Sequence, residues 1–236
     1  MPATPLPVVL SWSGGKDSAL ALERLRSDVN VRVVGLLTSV SQAYDRISIH
    51  GVRRTLLHQQ AAAIGLPLTE LLLGDSPSNA SYEAAFAAAL ARLAAEHPGT
   101  NTIAFGDLFL EEVRAYRDAL LTRLGWRGCY PLWGEPTREL AQGFITRGFR
   151  ALLTCVDTTQ LDPRFAGREF DTQLLDELPA SVDPCGERGE FHTFVYGGPV
   201  LSAPLTVHPG ERVLRDQRFQ YCDLVVDFQG RWKSPP

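Results

Sequence analysis

Short apolar runs alternate with stretches of helical spacing through the first 125 residues. Residues 6–11 (LPVVLS) have the length of a buried strand, and after Ser18 the apolar positions Leu22, Leu25 and Val29 recur near the helical period. The alternation continues with a strand at 31–39 and a helix at 51–64 carrying Val52, Leu56 and Ile64 on one face. A strand at 68–73, a helix at 79–96 striped by Tyr82, Phe86, Leu90 and Leu93, a strand at 102–106 and a helix running to Leu124 follow. Strands and helices alternating at this pitch predict an α/β fold, a parallel sheet joined by right-handed crossovers.

Beyond Gly125 the pattern breaks. The stretch GWRGCYPLWGEPT is rich in glycine, proline and aromatics, and one further helix (137–147) and strand (150–156) precede a region of loops. After Pro184 the chain reads as short strands at 191–196, 212–216 and 221–228, separated by glycine and proline turns. The change in texture predicts a boundary near residue 130, with residues 1–130 forming the α/β domain and 131–236 a smaller α+β domain.

Composition narrows the class. A chain of 236 residues that is 44% hydrophobic can fill a core, and a net charge of −4 argues against general attraction to nucleic acid or membrane surfaces. Cys129, Cys155, Cys185 and Cys222 form no C-x-x-C pair, so the sequence suggests neither a zinc site nor a disulfide framework and fits a reducing cytoplasm. No run approaches the roughly 18 apolar residues of a membrane span, and the N-terminus has no basic leader.

The densest chemistry lies in the first strand-to-helix turn, SWSGGKDSAL. In an open parallel sheet this turn is the usual phosphate site. Gly14 and Gly15 let backbone N–H groups face an anion, the helix N-terminus adds partial positive charge, and Ser13 and Ser18 supply hydroxyls. Lys16 is one of only two lysines, the other being Lys233, against twenty-one arginines. Its compact ammonium suits a point contact to phosphate better than a planar guanidinium does. The turn is not a Walker loop, because Asp17 separates the lysine from Ser18, and it lacks the three spaced glycines of the dinucleotide fingerprint.

At Ser13, Gly14, Gly15, Asp17 and Ser18 the turn resembles the S-G-G-x-D-S loop of the ATP pyrophosphatases. The resemblance implies a loop that holds the β and γ phosphates of ATP and leaves the α phosphorus open to attack, with Mg2+ offsetting the phosphate charge. A second stretch, DPCGERGEFHTFV at 183–195, sets Glu187 and Glu190 around a turn made by Gly186 and Gly189. Together the two motifs resemble the diphthine-ammonia ligase family, which combines SGGKDS with C-G-E-x-G-E-F. FGD at 105–107, Arg114, PLW at 131–133 and GF at 148–149 follow in the same order.

This resemblance covers nearly the whole chain. It implies an adenine nucleotide alpha hydrolase-like domain that holds ATP and a C-terminal domain facing it across a cleft. The implied reaction adenylates a carboxyl group and lets ammonia displace AMP. Glu187, Glu190 and Lys16 are then the expected catalytic residues, and Ser13, Gly14, Gly15, Lys16, Asp17, Ser18, Gly106 and Asp107 the expected nucleotide-binding set. Asp107 reaches the nucleotide or magnesium in one reading and caps the next helix in another. Position 188 carries Arg where the motif has Gly or Asn, so either the turn bends differently or Arg188 meets the substrate. Cys185, His50 and His192 read as structural or surface residues.

The expected partners are ATP, ammonia and a carboxyl-bearing substrate; a homodimer is left open. The arginine-rich, lysine-poor, alanine-rich composition looks like that of a GC-rich bacterial chain, whereas diphthamide belongs to archaeal and eukaryotic elongation factors. The chemistry therefore carries over more readily than the substrate. Two alternatives use the same loop: an RNA-modifying enzyme that adenylates a base, and a nucleotide-binding module with weak ATP hydrolysis.

Overall fold

The computed structural model describes residues 4–74 and 77–226. In chain order the first half contains β1 (Leu6–Ser11), α1 (Lys16–Ser27), β2 (Val31–Ser41), β3 (Arg46–Ile47), α2 (Arg54–Ile64), β4 (Leu68–Leu73) and α3 (Asn79–Glu96). It continues through β5 (Thr102–Ala104), α4 (Glu111–Arg123) and β6 (Arg127–Cys129). The second half contains α5 (Thr137–Thr146), β7 (Arg150–Asp157), α6 (Thr172–Glu177), β8 (Phe191–Gly197), β9 (Val207–Arg215) and β10 (Phe219–Val226). Among the described residues no helix is long and apolar enough to cross a membrane.

The predicted α/β architecture is present. β1 lies between β2 and β5, β4 pairs with the second half of β2, and β6 pairs with β5, all in parallel. β3 alone runs antiparallel, against the end of β2. A second, antiparallel sheet has the order β8-β7-β10-β9.

Alternation along β1 explains how the first sheet is covered on both faces. Val9 packs with Phe86, Leu90 and Leu93 of α3 and with Leu120 and Leu121 of α4. Val8 and Leu10 point the other way, into a cluster with Leu20 and Leu22 of α1, Leu56 of α2, and Phe144, Phe170, Phe191 and Phe194 from the second half. That cluster makes one apolar interior of α1 and the second sheet.

Local chemistry moves several predicted boundaries. Val29 is 85% exposed and lies beyond α1, because Asp28 leaves the helix and its carboxylate accepts from the N–H of Asn30 at 2.9 Å. The helix expected from residue 51 starts at Arg54: Gly51 has φ 68°, and Val52 is buried ahead of the helix. The strand expected over 102–106 stops at Ala104, and the one expected from 212 starts at Val207. Pro209 and Gly210 signal a turn in the sequence, but β9 is an edge strand, where a missing N–H is tolerated. The last predicted strand is observed to Val226; residues 227–228, like Lys233, lie outside the described residues.

The second sheet grips the turn between β1 and α1. Val195 of β8 donates its N–H to Gly14 O at 2.8 Å, and the Lys16 N–H donates to Thr193 Oγ1 at 3.0 Å. Gln60 of α2 closes the clamp: its amide donates to Gly14 O at 3.0 Å and Val195 O at 2.6 Å and accepts from Trp12 Nε1 at 2.9 Å. Gln60 is fully buried, and without it Trp12 Nε1 would lose this acceptor and the Gly14 and Val195 carbonyls would each lose a donor.

Gln60→Ala is therefore expected to lower stability by about 3 kcal/mol, since three buried hydrogen bonds are lost together. Urea unfolding measures this. A loss below about 1 kcal/mol would mean that the clamp does not hold the loop.

Candidate active site

A cavity of about 920 Å³ opens beyond the carboxyl ends of β1, β2, β4 and β5, the end of a parallel sheet where ligands bind. Its volume is ample for a nucleotide. The β1–α1 turn forms one wall and the 185–189 turn with the start of β8 forms the facing one. Residues from both ends of the sequence thus meet around one space.

The turn after β1 is folded by its own small residues. Gly14 has φ 80°, and a Cβ there would lie 2.9 Å from Gln60 Oε1, so backbone angle and space both require glycine. Ser13 Oγ accepts from the Gly15 N–H at 3.2 Å, and Ser18 Oγ donates to Gly15 O at 2.9 Å. No side chain caps the start of α1. Gly106, just past β5, presses on this turn: a Cβ would come within 2.8 Å of the Asp17 carbonyl carbon.

Lys16 is only 2% exposed. Its ammonium lies 2.8 Å from the Asp17 carboxylate and also donates to Cys185 O, tying the two walls together. The rings of Phe191 and Phe170 lie at 5.6 and 5.8 Å. Burial opposes its charge, but Asp17 and the neighbouring Cys185 and Glu187 hold its pKa above the ordinary lysine value. The sequence suggested a cation free to meet phosphate; in the folded chain that cation already has a carboxylate partner.

The 183–190 turn is braced by two carboxylates. Asp183 accepts from the N–H groups of Cys185 and Glu187 at 2.9 and 3.3 Å. Glu190, 1% exposed, accepts from those of Asp183 and Arg188, both at 2.9 Å. Glu190 thus faces the backbone of its own turn and is not part of the cavity wall, unlike Glu187. Gly186 and Gly189 carry the positive φ angles, 69° and 84°, and Arg188 does not need one. The arginine at this position therefore fits the turn without strain, and its guanidinium lies 5.6 Å from the Phe109 ring.

Glu187 reaches across to the first half. Its Oε1 accepts from the N–H of Leu108 at 2.7 Å, just before α4. Burial raises its pKa to about 7; the Leu108 bond opposes the shift, and Asp17 and Asp107 add to it. Asp107 lines the cavity and pairs with Arg117 at 2.9 Å, and burial raises its pKa too. Cys185 is buried and donates from Sγ to Thr137 O at 3.2 Å; burial pushes its thiol pKa up, the opposite of what a nucleophile needs.

Of the residues singled out in the sequence, Ser13, Lys16, Asp17, Ser18, Gly106, Asp107 and Glu187 line the cavity. Gly14 and Gly15 shape the turn behind it, and Glu190 lies within its own turn. The sequence reading passed over Gln60, Thr193 and Arg117 and read His50 and His192 as structural or surface residues. Both histidines line the cavity, with ring centroids 4.7 Å apart.

Two family models match the chain in sequence order. The diphthamide synthase N-terminal domain matches residues 7–128 and the diphthamide synthase C-terminal domain matches residues 136–225. A search of curated proteins found no match. The first match carries the loop after β1 and the second carries the turn that faces it. The chain belongs to the diphthamide synthase, or diphthine-ammonia ligase, family.

Proposed function

We propose that this protein is an ATP-dependent amide ligase that adenylates a carboxyl group, releases pyrophosphate, and lets ammonia displace AMP. The observation that carries the reading is the meeting of the Ser13–Ser18 turn with the 185–189 turn in one cavity, joined by Lys16 and Cys185 O. The N–H groups and hydroxyls at the start of α1 suit the terminal phosphates, and the opposite wall is left for the acyl group. The domain division near residue 130 belongs to this proposal, with residues 1–130 taking the nucleotide and 131–236 facing the substrate.

The described residues hold no cluster of three or more side chains able to ligate a metal. Magnesium typically needs only one or two carboxylates besides the phosphates that carry it, and Asp17 and Asp107 on the cavity wall, each paired with a cation, are the residues that would hold it. When bound it would offset phosphate charge. Ammonia attack on an acyl adenylate releases a proton, and Glu187 is the carboxyl group tuned to accept one near neutral pH. The RNA-modifying alternative draws less support, since both cations on the cavity wall, Lys16 and Arg117, already have carboxylate partners.

Single-turnover reactions with excess enzyme and labelled ATP are expected to yield AMP and pyrophosphate. Formation of ADP and orthophosphate would overturn the reading. At constant free ammonia, amide formation is expected to rise with pH through about 7, as the raised Glu187 carboxyl loses its proton, and to level off above. Glu187→Gln should abolish that rise and lower the rate by about a hundredfold or more. A variant with the wild-type rate and pH profile would remove Glu187 from the chemistry. Glu190→Gln should act on the fold instead, lowering stability by about 1–3 kcal/mol as an amide group meets two N–H donors. Unfolding curves that overlay wild type would contradict that role.

A further inference from the structure

The reaction outlined above leaves two cavity-lining side chains without a task. His50, in the turn before α2, and His192, near the start of β8, lie with their ring planes inclined by 40°. His50 is held against the phosphate turn: its Cε1 lies 3.0 Å from where a Cβ on Gly15 would stand. Its Nδ1 is 3.0 Å from Thr193 O. A carbonyl oxygen can only accept, so Nδ1 carries the hydrogen, and in the neutral ring Nε2 is a lone pair. The His192 ring, which also lines the cavity, makes no hydrogen bond to another described residue.

The charge balance of the cavity gives these rings their significance. A polyphosphate brings several negative charges, yet Lys16 is paired with Asp17, and Arg117 with Asp107. The other titratable groups on the walls, Glu187, Cys185, Tyr44 and Tyr82, carry no positive charge in any state. Among the described wall residues, the histidines are the groups that can add positive charge when an anion arrives.

We propose that the His50–His192 pair is a proton-coupled anion site: it is neutral in the free protein and takes one proton from solvent, on His192, when a pyrophosphate group occupies the Ser13–Ser18 turn. The free state follows from the surroundings. Burial lowers His50 to about 4, with Lys16 adding to the effect, and burial lowers His192 well below the ordinary value, with His50 and Lys16 adding. An anion within about 4–6 Å reverses that balance by favouring the charged ring. A second proton does not follow, because two imidazolium rings at 4.7 Å would repel each other. Since the bound state holds one more proton than the free state, binding tightens as pH falls through the window between the free and bound pKa values.

This inference rests on the reading of the turn as a polyphosphate site, and the experiment separates the two. Calorimetric titration of the protein with inorganic pyrophosphate and Mg2+, in two buffers of different ionisation enthalpy, gives the number of protons taken up. Wild type is expected to take up about one more than His192→Gln at the same pH, and its affinity to gain up to about tenfold more than the variant's for each unit of falling pH. Protons taken by the ligand or by Glu187 are common to both proteins and cancel in the comparison. In case the variant misfolds, 15N spectra of the wild-type imidazoles provide a second measurement, with one imidazolium signal expected to appear on saturation. Binding with equal uptake in both proteins, or with both rings still neutral, overturns the inference and leaves the nucleotide reading intact. Failure of wild type to bind pyrophosphate or ATP overturns the nucleotide reading and this inference with it.

Discussion

The hydrogen bonds between β8 and the turn after β1 are the constraint on which the rest of the molecule depends. The turn has internal bonds from Ser13 and Ser18, and its backbone at Gly14 and Lys16 is held from outside. Here the N–H of Val195 and the hydroxyl of Thr193 bind backbone groups of Gly14 and Lys16, and Gln60 bridges the Gly14 and Val195 carbonyls. The consequence is structural and chemical at once. The strand that shapes the loop also carries His192 and follows directly from the turn bearing Glu187, so the two walls of the cavity are positioned by one set of bonds.

The same logic divides the labour among the charged residues. Buried carboxylates need partners, and Glu190 and Asp183 find them in N–H groups of a single turn. That bracing leaves Glu187 at the cavity wall, partly desolvated, with its pKa near neutrality. Two carboxylates three residues apart thus have different environments, one within its own turn and one at the cavity wall. Lys16 likewise holds the cavity walls together through Cys185 O while adding charge beside the loop.

Much of this was legible in the chain, and the failures have physical causes. The helical stripe through Tyr82, Phe86, Leu90 and Leu93 and the apolar run of β1 have strong periodicity, and both elements formed as expected. β3 and β6, with two and three residues, are too short to show a period and owe their pairing to longer neighbours. The motif residues of the loop are local in sequence, and Ser13, Lys16, Asp17 and Ser18 among them line the cavity. Gln60, Thr193, His50 and His192 were not legible in the same way: each acts through contacts with distant segments, and nothing in its immediate neighbours signals that role.

The central claim is that two turns distant in sequence form a single site around one nucleotide. The most direct measurement is a crystal structure of the protein with Mg2+ and an ATP analogue whose α–β bridge resists cleavage. The account predicts the β and γ phosphates at the Ser13–Ser18 turn, with the α phosphorus facing the wall that carries Glu187. Phosphates bound away from that turn, or an α phosphorus shielded from the 185–189 wall, would contradict it.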